Sequence, residues 1–93
     1  MDTAQQTAQG IPLPQVNFST FILSLASSTL VQLGEVPNPE TNALEPDVDM
    51  AHHSIGILEM LQEKTAGNLS PEEQQLLEGV LYEVRMKYVI KTS

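Results

Sequence analysis

The stretch FSTFILSLASSTLVQLG, residues 18–34, carries no charged side chain, and in a 93-residue protein it restricts the available folds more than any other feature. Such a segment crosses a bilayer, fills the core of its own chain, or packs against a second chain. A transmembrane helix needs about 20 apolar residues to cross roughly 30 Å of hydrocarbon. Residues 18–33 reach only about 24 Å as a helix, and Ser19, Thr20, Ser24, Ser27, Ser28 and Thr29 interrupt them. No Lys or Arg flanks the stretch to set an orientation. An in-plane anchor is disfavoured too, because its polar face would carry basic residues.

A soluble, buried helix fits the pattern better. On a helical wheel Phe18, Phe21, Ile22, Leu23, Leu25, Ala26, Leu30 and Leu33 cover more than half the circumference, and Thr20, Ser24, Ser27 and Ser28 line the remaining strip. A helix without a charged face is buried on most sides. Small hydroxyl residues spaced by four also let two helix backbones approach closely.

A chain this short buries a limited share of its surface, and such scaffolds rely on disulfides, a metal or oligomerisation. There is no Cys, which removes disulfides, thiolate metal sites and a Cys nucleophile. Oligomerisation remains. The charge is −8, and its distribution is uneven: residues 3–34 are uncharged, and the only cations are Lys64, Arg85, Lys87 and Lys91. That balance repels phosphate backbones and anionic headgroups, so no nucleic-acid partner is expected and a membrane partner is disfavoured.

Three helices are expected. Residues 1–16 lack helical periodicity and a basic region before an apolar core, so they read as a flexible tail rather than a signal peptide, with a Pro-rich docking peptide as the alternative. Helix one, about 18–33, starts at an Asn17 or Ser19 cap and stops at Gly34. The linker EVPNPETNALEPD holds three prolines and spans up to roughly 45 Å if extended, enough to place helix one beside its own chain or a neighbouring one. Helix two, about 48–66, is capped by Asp47 and ended by Gly67, with Met50, Ala51, Ile55, Ile57, Leu58 and Leu61 as its apolar arc. The GNLS connection is short, so helix three, about 71–90, returns antiparallel. SPEE opens it as a capping box, with Ser70 as cap, Pro71 in the first turn and Glu73 reaching back. Leu77, Leu81, Val84 and Tyr88, widened by Leu76 and Val80, form its apolar stripe. The fold class is therefore all-α: an apolar helix, a Pro-containing linker and a helical hairpin in one domain, residues 17–91.

The blocks NFSTFILSLASSTLVQLGEVPNPET and IGILEMLQEKTAGNLSPEEQQLLEGVLYEVRMKYV resemble the 1844 family of bacterial domains of unknown function, over most of residues 17–89. The resemblance implies a small, largely helical bacterial protein, and it carries no activity and no catalytic residues.

No chemical motif stands out. Asp49 lies three and four residues before His52 and His53, a spacing at which it could share a metal with one of them. Adjacent histidines diverge by about 100° on a helix, so no metal and no other cofactor is expected. Glu59 with Glu63 and Glu72 with Glu73 are paired carboxylates without a pocket signature to tune them. No catalytic residue is assigned. Arg85 sits beside the apolar stripe, where it either pairs with Glu59, Glu63 or Glu35 or lays its stem over apolar surface.

The sequence therefore points to a non-catalytic, cytoplasmic homo-oligomer acting as an interaction or structural module, with a further protein partner left open. Phe18, Phe21, Ile22, Ser24, Leu25 and Ser28 are the expected interface, with Thr20, Ser24 and Ser28 at the closest approach. Two alternatives stand beside it: a membrane-associated accessory protein anchored by residues 18–33, and a metal protein or enzyme built on Asp49, His52 and His53.

Overall fold

In the computed structural model, residue 13 and residues 15–93 are described. The expected tail, residues 1–16, lies largely outside them. Three helices follow in order: α1 at Phe18–Gln32, α2 at Val48–Lys64 and α3 at Pro71–Thr92. Each packs against the other two, so α1 lies on the hairpin of its own chain.

The helix ends are set by the chemistry their sequences carry. Asn17 caps α1, its side-chain oxygen accepting from the Thr20 amide at 2.8 Å. At the other end Gly34 adopts φ 77°. Its N–H donates to the Val31 carbonyl and the Glu35 N–H donates to the Leu30 carbonyl, at 3.0 and 2.9 Å. These are the two bonds of a Schellman motif, and the left-handed residue between them favours glycine. Asp47 caps α2 by accepting from the Met50 amide at 3.1 Å. Ser70 and Glu73 form the reciprocal capping box of α3, at 2.8 and 3.1 Å.

Three boundaries differ slightly from expectation, α1 stopping at Gln32 with Leu33 as its cap. α2 stops at Lys64, because the Ala66 and Asn68 amides tighten to i−3 carbonyls, those of Glu63 and Thr65, and Gly67 takes φ 79°. α3 continues to Thr92, where Thr92 and Ser93 hydroxyls donate to the carbonyls of the last turn.

The linker does not extend. Asn38 and Ala43 form an isolated antiparallel bridge, with Asn42 at φ 59° in the turn between them. The Glu45 carboxylate accepts from the Asn38 side chain and the Thr41 hydroxyl at 3.0 and 2.8 Å. The Asp47 amide then donates to the Gln32 carbonyl at 2.7 Å. The loop is thus closed onto the end of α1, and α2 begins where α1 stops.

One apolar core joins the three helices: Ile22 and Leu33 from α1 and its end, Ala51, Ile55 and Leu58 from α2, and Leu77, Val80, Leu81 and Val84 from α3. Phe18, Leu25, Ala26, Leu61, Leu69, Leu76 and Tyr88 pack at its edge. Two polar residues are buried with it. Thr29 is fully enclosed, and its hydroxyl donates to the Leu25 carbonyl at 2.7 Å. Ser54 donates to the Gln32 side chain at 2.7 Å, tying α2 to α1. Both are hydrogen-bonded, which removes most of the desolvation cost of a lone buried hydroxyl.

Candidate functional site

The histidines of α2 do not converge with a third ligand. Asp49, His52 and His53 are all exposed in the first turns of the helix. His52 leans against Tyr88 of α3, ring centroids 5.5 Å apart and tilted by 40°. Among the described residues no group of three or more His, Cys, Asp or Glu side chains is placed to hold a metal ion. The carboxylate pairs are also separated by role. Glu73 is committed to the α3 cap. Glu59 accepts from Arg85, with Nη2 at 3.0 Å and Nε at 3.1 Å, while Glu63 is exposed.

Arg85 thus takes the first of its three expected partners. Both members of the pair are about half exposed, so it contributes roughly 0.2–1 kcal/mol at most. Glu35 pairs instead with Lys87, at 3.5 Å, linking the closed loop to the end of α3.

The residues expected at a contact between chains divide between two faces of α1. Ile22 is fully enclosed within its own chain, because the hairpin groove covers that face. Phe18 and Leu25 are half-buried against the same core. Phe21, Ser24 and Ser28 face outward, while Thr20 is half-buried. The serine strip is therefore not the side on which α1 meets its own hairpin. Ser27 and Ser28 instead border an open groove of about 410 Å³ shared with Asn38, Pro39, Glu40 and Glu45 of the loop. Leu23, on the outer side with Phe21, is 52% exposed. Among the described residues no helix is long and apolar enough to cross a membrane.

A second outward surface lies on α3. Tyr82, Val89 and Ile90 are 68%, 61% and 71% exposed, and Met86 is 45% exposed. Tyr82, Met86 and Val89 follow at intervals of four and three, one row on one side of the helix. They line a groove of about 410 Å³ with Gln62 of α2 and with Glu78 and Arg85. A second groove of about 310 Å³ adjoins it between His52, Gly56 and Tyr88. The expected core stripe of α3, Leu77, Leu81, Val84 and Tyr88 with Leu76 and Val80, leaves this row out. Its signal was present: Tyr82, Met86 and Val89 keep helical spacing on the side opposite Val80 and Val84.

No curated protein and no solved structure matches the chain. The model of the family described as Domain of unknown function (DUF1844) matches residues 15–90. With a helical chain and a match that spans nearly all of it, the protein belongs to the DUF1844 family.

Proposed function

We propose that the chain is a self-associating, non-catalytic helical module that works by presenting surface rather than by transforming a substrate. The observation that carries this is the apolar row Tyr82, Met86, Val89 and Ile90, left open after the core has closed. Singly scattered exposed apolar residues are ordinary, whereas a contiguous row on one helix face marks a contact surface. α1 adds to the same reading, since Phe21 and Leu23 are half exposed on a helix without any charge. A chain of 93 residues with nine buried apolar side chains among the described residues gains stability from covering such surfaces.

The non-catalytic part is supported by how the polar groups are used. Ser70, Glu73, Asp47 and Asn17 cap helices, and Glu59 and Glu35 are in ion pairs. The anchoring of α1 in the core through Ile22, Thr29 and Leu33 weighs against its use as a membrane anchor. Light scattering on the chromatographed protein tests the proposal. A dimer or larger species is expected at micromolar concentration, dissociating on dilution. A helical monomer at that concentration would sink it.

A further inference from the structure

α3 carries its charges in two blocks. Residues 71–83 hold Glu72, Glu73, Glu78 and Glu83 and no cation, and residues 85–92 hold Arg85, Lys87 and Lys91 and no acid. Two members of these blocks border the exposed row. Glu78 and Arg85 are one heptad apart, so they share a flank, and both line the groove beside Tyr82. The other flank carries Gly79 and Met86, again one heptad apart. Gly79 is exposed in the middle of the helix, and a Cβ added there would meet nothing within 4 Å. Glycine inside a helix costs about 1 kcal/mol relative to Ala. Among the described residues nothing packs against it, as is also true of Gly56 in α2.

We propose that a second copy of this chain covers the row, with α3 packed antiparallel against α3 about a two-fold axis near Tyr82. The proposal rests on the self-association reading and adds its face and direction. A two-fold axis perpendicular to both helices returns each flank to itself with the direction reversed. Glu78 of one copy then lies opposite Arg85 of the other, and the contact is made twice. On the other flank Met86 of one copy lies over Gly79 of the other, a long side chain over a residue that has none. Tyr82 meets its own copy at the centre, and Gln75 meets Val89. These four pairings share a single midpoint, because each pair of residue numbers averages close to 82. A parallel pair would set acid beside acid and cation beside cation, which is destabilising.

The absence of Cys makes the test direct. Gln75→Cys and Val89→Cys chains are prepared separately, mixed and oxidised, while light scattering follows the unmodified protein. Expected are a dimer of the unmodified chain, a disulfide-linked product in the mixture, and little in either variant alone. Gly79→Gln should raise the helical stability of the chain and weaken the dimer about tenfold or more. Glu78→Arg should weaken it as well, and Glu78→Arg with Arg85→Glu should restore it. An unmodified monomer overturns both this proposal and the self-association it rests on. A dimer whose single variants cross-link by themselves, or whose mixture does not, overturns the antiparallel α3 pairing alone. So does a dimer that Phe21→Ser dissociates and Gly79→Gln leaves intact, since the contact would then lie on α1.

Discussion

α1 and α3 invert what their compositions suggest. α1 is the most apolar helix and has no charge, yet it sends Thr29 into the core and leaves Ser24, Ser27 and Ser28 outside. α3 is studded with Glu, Lys and Arg, yet it leaves Tyr82, Met86, Val89 and Ile90 open to solvent. The difference teaches that average hydropathy says little about which surface a helix shows. What decides is where its residues fall relative to the groove formed by the other two helices. α1 presents Ile22 and Leu33 there, and α3 presents Leu77, Leu81 and Val84.

The strongest way to break this contrast is to compare neighbours on α1. Ile22→Ala should lose about 2–5 kcal/mol in urea unfolding, because it opens a cavity in a fully enclosed site. Phe21→Ala, one position away, should lose under about 1 kcal/mol under dissociating conditions, where its face is open to water. Equal losses would mean that α1 does not sit on the hairpin as described. Next is the end of the same helix. Gly34→Ala should cost about 1–2 kcal/mol, since its φ of 77° is left-handed and an added Cβ would approach Pro46 Cβ to 3.1 Å. Calorimetry would register a lowered melting temperature, and an unchanged one would remove the closed loop.

On the charged side of the comparison, Ser70→Ala should cost about 1 kcal/mol by breaking the α3 capping box, visible as a shifted urea midpoint. Gly56→Ala, in open space on α2, should go the other way and stabilise by about 0.5–1 kcal/mol. The smallest effect belongs to Arg85 and Glu59. A double-mutant cycle should give about 0.2–1 kcal/mol of coupling, fading as salt rises. That range holds under dissociating conditions, where both side chains are about half exposed, and a larger, salt-resistant coupling there would contradict that exposure.

Much of the fold was legible because helix ends and stripes depend on local chemistry. Asn17, Asp47, Ser70, Glu73, Gly34 and Gly67 act within a turn or two of themselves, so their roles follow from their neighbours in the chain. The core stripe of α3 was legible for the same reason, through its spacing of four and three. The closed loop was not. Its bonds join Asn38 to Glu45 and Gln32 to Asp47, and three prolines told only that the segment is not helical. The outward row of α3 was overlooked because a helix with apolar residues on two sides offers two stripes, and periodicity alone does not say which one the core takes.

The sequence by itself therefore determined the three helices, their caps, the antiparallel return of α3 on α2 and the family. It also determined the lack of charge that makes α1 need cover. Only the tertiary structure decided which face of α1 is covered, and that its own hairpin covers it. The physical reason is that burial belongs to surfaces brought together across the chain. Ile22 and Phe21 are equally apolar in a list of residues, and the groove between α2 and α3 encloses one and leaves the other half open to water.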